Sequence, residues 1–553
     1  MALFAELRRR NVLKVALLYV IASWLMLWFV AVTSDALELP AWSYNALLIT
    51  LAIGFPIALL FAWTYEFTPT GLKKAIDVDQ TQSIVYKTGQ KLNAAVAVLL
   101  VLGLLAMLGK GFMPKFEFIL PGVPEGDAPT SEKAPAEIRS LTLDNGLKII
   151  VWPDHDIPNV VMYNFVRAGG RNEYPGITGL SHFFEHMMFN GTDDLEPGEF
   201  DRVMEAAGGA NNAYTSKDVT VYQNWFPTAA LETIFELEAD RMENLAIVPE
   251  VVESERAGVY SERRTSVDNN NFSRLFEQVF ATAFVAHPYQ FPVIGWPSDI
   301  EAWTIEDLEN YFRTYYAPNN STIVFTGDVT PGDIFELADE YFASISVQEP
   351  PADIRTVEPE QRGVRRLLIE TDAQTPLLHM AFHAGSAADS QTLPMTLLLN
   401  ILAGGDSSRL HRLLVEDQQT AIDVGAWQHQ GFDPSVVYFY LTLPPGGDPG
   451  AVEATVLTEL ERVAGEGVTA AELAKAQSIL LADFWRGLAT INGKAAALGD
   501  YEVFHGSFEA LFEHPDRVET IVADDLRAAA AQVFRRTNMT VGVLQAPATE
   551  ADQ

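Results

Sequence analysis

His182-Phe183-Phe184-Glu185-His186 is the stretch on which the reading of this chain turns, and 76 residues past His186 stands Glu262. In a helix each residue advances about 100° around the axis. His186 then falls about 40° from His182, and Glu185 about 60° to the other side, so two imidazoles and a carboxylate share one arc. Leu180, Phe183, Phe184, Met187 and Met188 take the opposite side, which gives the helix an apolar face to anchor it. Thr178 or Ser181 is a candidate cap at its start, and Gly191 a candidate stop. The histidines with Glu262 form a ligand set suited to zinc, and Glu185 supplies a base.

A second acidic segment strengthens this reading. Residues 247–264 read as a helix with Pro249 near its first turn. Glu255 and Glu262 lie about 20° apart on its wheel, among Val251, Val252 and Val259. Glu253, Arg256, Tyr260, Arg263 and Arg264 take the other side. A carboxylate on a buried face is costly unless it meets a cation or several donors. A solvated polar face would account for His-x-x-Glu-His alone, but not for two acids amid valines. The other eight histidines are isolated and read as packing or surface residues.

With 553 residues and 48% hydrophobic content, the chain has room for several domains. It has no cysteine, which excludes disulfide frameworks and thiolate metal sites. The net charge of −36 is uneven: residues 1–115 hold ten Lys/Arg and six Asp/Glu, the remainder 27 and 67. So acidic a body argues against a nucleic-acid partner, whose phosphates it would repel.

Three stretches without a charged residue, 15–32, 44–64 and 92–108, precede the body. Each is long enough, about 25–32 Å as helix, to cross a bilayer. Basic residues before the first (Arg8, Arg9, Arg10, Lys14) and between the second and third (Lys73, Lys74, Lys87, Lys91) place those segments in the cytoplasm. Three spans then leave the body on the far side. The expected location is the bacterial inner membrane with a periplasmic body; two spans would leave the body cytoplasmic. Residues 114–137 carry five prolines and read as a semi-rigid tether.

The body alternates strand-like and helix-like segments, with a Pro- and Glu-rich stretch at 348–361. Its halves echo each other: Phe165-Val166-Arg167-Ala168-Gly169 before the histidine helix parallels Ala381-Phe382-His383-Ala384-Gly385 before a helix around 397–402. The second copy carries leucines where the first carries ligands. The expected organisation is a membrane region at 1–113, a linker at 114–137, a zinc-bearing half at 138–347, an inter-half linker at 348–365 and a second half at 366–547.

At this point the body, from 138 to 545, resembles the pitrilysin-type zinc peptidases with the inverted motif, and within them the processing-peptidase-like branch. Further matches are Asn212-Ala213-Tyr214-Thr215-Ser216 with Asp218 and Thr220, and His287-Pro288-Tyr289 with Gly295. Others are Pro318 and Asn320 before Gly327-Asp328, and Gly404-Gly405-Asp406-Ser407-Ser408-Arg409-Leu410. The resemblance implies an α+β fold of two homologous α/β sandwich halves forming a clamshell, here preceded by transmembrane α-helices. It implies one Zn2+ per chain held by His182, His186 and Glu262, with Glu185 as general base and Glu255 orienting a ligand from outside. It also implies an edge strand containing Asn212, Ala213 and Thr215 that pairs with a peptide substrate. Active relatives place an Arg, and seven residues later a Tyr, where this chain has Val415 and Ile422. Neither can donate to a developing oxyanion. The expected function is a membrane-anchored zinc metalloendopeptidase acting on peptides or unfolded segments. A related subunit bearing the Arg and Tyr, or a second copy of the chain, is its expected partner. The alternative is a non-catalytic assembly subunit of a membrane-associated complex.

Overall fold

Runs such as Asn159–Val166 and Ser321–Gly327 are apolar or small at nearly every position and buried almost throughout. That is the signature of strands covered on both faces. The computed structural model describes Pro135, residues 137–547, the short segments 65–68 and 71–74, and Tyr19, Ser23, Leu51 and Phe55. Residues 1–128 form one unit and 129–553 another. In the first, β1 (Tyr65–Thr68) pairs antiparallel with β2 (Gly71–Lys74).

The second unit holds two sheets. The first combines β3 (Arg139–Thr142), β4 (Lys148–Pro153), β5 (Asn159–Val166), β6 (Ala210–Thr215), β7 (Thr220–Pro227) and β8 (Ser321–Gly327) in the order β3-β4-β8-β5-β7-β6. The second combines β9 (Arg365–Glu370), β10 (Leu377–Ala384), β11 (Asp423–Gln428), β12 (Ser435–Thr442) and β13 (Met539–Gln545) in the order β9-β13-β10-β12-β11. In each, one parallel pair (β4 with β8, β9 with β13) is followed by antiparallel neighbours. Apart from β3 the two sheets share one topology, so the echo in the sequence is an echo in the fold.

Helices cover the sheets: α1 (Leu180–Met187), α2 (Leu231–Glu243), α3 (Pro249–Arg263), α4 (Asn271–Ala283), α5 (Pro331–Phe342), α6 (Thr392–Ala403), α7 (Pro449–Glu466), α8 (Ile491–His505) and α9 (Ala523–Val533). One face of the first sheet packs on α2 and α5 through Ile234, Phe235, Ile334 and Phe342. Its other face is covered by α8, which arrives from the second half and brings Ile491, Ala495, Leu498 and Val503 against Val161, Phe165 and Val324. The second sheet packs on α6, α7 and α9 on one side. On the other it takes α4 from the first half, with Leu275, Val279 and Phe280 against Ala381, Tyr438 and Leu544. Each half thus completes the other's core. The two homologous α/β halves expected from the sequence are present, and they are interlocked through α4 and α8.

Two glycines make these crossings close. A Cβ on Gly499 would lie 2.0 Å from the Phe165 ring, and one on Gly542 2.4 Å from Val279 Cγ2. Gly499→Ala is therefore expected to destabilise the fold by about 1–3 kcal/mol, as overpacking does; urea unfolding with an unchanged midpoint would contradict this. Residues 469–497 have a helix-like sequence throughout yet form two helices. Ala470–Gly487 ends, and α8 restarts with Thr490 accepting from the Gly493 backbone N–H.

Among the described residues no helix is long and apolar enough to cross a membrane. On this finding the expected placement in the bacterial inner membrane is corrected. The stretches 15–32, 44–64 and 92–108 lie outside the described residues apart from Tyr19, Ser23, Leu51 and Phe55.

Candidate active site

Helix α1 is anchored as its wheel requires: Leu180, Phe183, Phe184 and Met187 are fully buried. Its start differs from expectation. Neither Thr178 nor Ser181 caps it; the N-cap is Gly179, in the left-handed region at φ 91°. The orphan amides are met by Glu173, which accepts from the backbone N–H of Gly179 and of Ser181, each at 2.7 Å. Glu173 is buried, which raises its pKa to about 7 against the pull of those donors. Thr178 instead donates to Asp299 at 2.7 Å and accepts from the Trp296 backbone N–H.

Helix α3 begins with Pro249 in its first turn and buries Val252 and Val259. It faces α1 so that His182, His186 and Glu262 converge, their nearest ligand atoms all within 4.8 Å of one another. Both Nε2 atoms lie 3.5 Å from Glu262 Oε2. Zinc bonds of about 2.0–2.2 Å in a tetrahedron set neighbouring ligand atoms about 3.4 Å apart. The two distances to Glu262 match that spacing, and two imidazole nitrogens with one carboxylate oxygen are a donor set that suits zinc. His186 Nδ1 stands 3.4 Å from Glu255 Oε2, which directs Nε2 toward the cluster. Glu255 and Glu262 are less enclosed than the wheel implied, Glu262 with 43% of its side chain exposed.

The electrostatics follow from these contacts. Glu255, then Glu262, pull the His186 pKa up to about 9, while burial pushes His182 down to about 4. His186 in turn holds both Glu255 and Glu262 below the ordinary carboxylate value. Glu185 is raised by burial, an effect opposed by its bond from Thr215.

Strand β6 is the edge of its sheet, and its residues alternate between faces. Ala213 packs against the core beneath α1. Thr215 Oγ1 donates to Glu185 Oε2 at 2.6 Å. Asn212 is exposed. The loop beyond β6 is tied to the second half: buried Asp218 accepts from Tyr289 Oη at 2.6 Å and from the Phe432 backbone N–H at 3.1 Å, and His429 Nε2 approaches it to 3.3 Å. Val415 packs partly buried on the second half's core and Ile422 is 52% exposed.

Sequence reasoning missed Glu173 and the placement of Arg263. Glu173 precedes α1 by only seven residues, but its capping depends on a loop fold that no periodicity reveals. Arg263 falls on the polar side of the wheel yet is only 4% exposed.

Interlocked α/β halves with a His-His-Glu cluster on the flank of one sheet define a two-domain metallopeptidase-like protein. Residues 154–295 match the family described as insulinase (peptidase family M16), and residues 302–480 the one described as peptidase M16 inactive domain. The zinc protease PqqE of Helicobacter pylori is 30% identical over 411 residues, covering 73% of this chain and 92% of that protein. A protease crystal structure from Helicobacter pylori is similar with a TM-score of 0.72 and 29% identity, over 74% of this chain and 99% of that one. The periplasmic protease PqqL of Escherichia coli shares the fold at a TM-score of 0.62 and 17% identity, and this chain covers 50% of its length. The chain belongs to the M16 peptidase family.

Proposed function

We propose that the chain is a zinc metalloendopeptidase of the M16 family that hydrolyses peptides or unfolded polypeptide segments. The observation that carries this reading is the convergence of His182, His186 and Glu262 with Glu185 on the same arc of α1. In this reading the three hold one zinc per chain, and Glu255 orients His186 from outside. Zinc, when bound, polarises the reacting oxygen atoms and lowers the pKa of water. Glu185 accepts the proton of the attacking water and returns it to the leaving amine. Its Oε2 is tied to Thr215, which leaves Oε1 to carry that proton. The edge strand β6, with Asn212, Ala213 and Thr215, offers unpaired backbone groups to an extended substrate.

Val415 and Ile422 cannot donate a hydrogen bond, so in this reading full activity needs a companion chain bearing a donor, and a second copy of this chain, with the same two residues, gives weaker catalysis. The length of PqqL, about twice the matched region, supports a two-part machine. A second reading, a non-catalytic assembly subunit, is favoured by the same two residues and by the inactive-domain match over 302–480. Metal analysis and peptide hydrolysis on purified protein decide between them. About one zinc per chain and chelator-sensitive cleavage are expected; a folded protein that binds no zinc would overturn the enzyme reading.

The proton on His186 makes zinc uptake pH-dependent. In metal-depleted protein His186 titrates at about 9, above its ordinary 6.5. Its folded-state pKa is raised, so its stabilising contribution is full below about pH 6.5 and is lost as pH rises through about 9. Zinc takes the unprotonated imidazole, so apparent affinity is expected to rise across that window. His182, at about 4, is already neutral at pH 7. Calorimetry in buffers of different ionisation enthalpy should therefore show about one proton released per zinc near neutrality.

A further inference from the structure

Glu262 sits in the last turn of α3, which runs into a wider π-type turn at Arg264–Asp268. A ligand carried at such a change of helical pitch needs something to hold it. The next residue, Arg263, is turned inward. Its Nη1 and Nη2 donate to the two oxygens of Glu277 at 2.8 and 3.0 Å, and Nη1 also donates to Gly295 O at 2.7 Å. Both partners are enclosed, with side chains 5% and 8% exposed. A forked pair of this kind fixes geometry as well as charge. Asp268, at 3.5 Å and 43% exposed, adds a weaker contact.

The Gly295 bond leads directly to the other ligand helix. A Cβ on Gly295 would lie 2.4 Å from Thr178 O and 2.8 Å from Gly179 Cα, so the two backbones touch where α1 begins. The Trp296 backbone N–H donates to Thr178 Oγ1 at 3.0 Å beside it. From Glu262 the connection runs through Arg263 and Gly295 to Gly179, three residues before His182. In the other direction Glu277 lies on α4, whose Leu275 and Val279 are built into the second half's core.

We propose that Arg263 is a positioning residue for the metal site: its fork to Glu277 and its bond to Gly295 O hold Glu262 at a fixed reach from His182 and His186. The inference rests on the zinc reading above. It adds that the second half, through α4, helps set the geometry of ligands it does not itself contribute.

The test measures zinc affinity by chelator competition alongside thermal melting. Arg263→Met paired with Glu277→Met removes the fork without stranding a buried charge, a replacement that folds often tolerate. Affinity is expected to fall about 10-fold or more, the scale of outer-shell losses, with Arg263→Lys between it and wild type. Leu457→Ala, in the core on the far face of the second sheet, is expected to lower the melting temperature and leave zinc affinity unchanged. The proposal is overturned by a folded paired variant within twofold of wild type, or by Leu457→Ala losing as much affinity at a matched melting temperature. Should the paired variant fail to fold, Glu277→Gln decides: a several-fold loss supports the role, unchanged affinity ends it. Wild-type protein that binds no zinc would instead strike the enzyme reading, before any variant is compared.

Discussion

Glu185→Gln is expected to retain zinc and lose about 10³-fold in peptide hydrolysis, within the range set by removal of a positioned general base. The substitution keeps the shape of the side chain, and its amide oxygen can still accept from Thr215 Oγ1. It cannot accept and return a proton at the other atom. Because Glu185 is not among the converging ligand atoms, metal content should stay at the wild-type level. Residual cleavage above about a tenth of wild type, in protein with full zinc, would remove Glu185 from the mechanism.

Glu262→Ala is the second large effect. Structural zinc sites with four ligands bind with about 10–16 kcal/mol, so loss of one ligand should weaken zinc about 10²–10³-fold. His186 would keep Glu255 as a partner, so the fold itself should survive. Chelator competition that finds wild-type affinity in this variant would show that Glu262 is not a ligand.

The sequence carried the local part of this arrangement well. Helices α1 and α3 are legible because a 3.6-residue period separates Phe183 and Phe184 from His182 and His186, and Val252 and Val259 from the polar side. The duplicated topology was visible in Phe165–Gly169 and Ala381–Gly385. What stayed hidden depends on partners far along the chain. Residues 491–497 look like a continuation of the helix before them, yet α8 exists to meet Phe165 and Val324 of the other half. Arg263 lies on the charged side of its wheel and is buried only because Glu277 and Gly295 fold over it. A wheel reports the neighbours along one helix, not those that arrive from elsewhere. The same limit explains why Glu262 was placed on a buried face and is found nearly half open to solvent.

The exchange of α4 and α8 bears on how this polypeptide reaches its native state. The first sheet cannot bury both faces until α8, far later in the chain, has been synthesised, so co-translational folding of the amino-terminal portion should stall as a sticky intermediate that chaperones would engage. A cut within 346–364, where no helix or strand forms, should leave two fragments still clasped together. Expressed separately, those fragments should recover structure only on mixing.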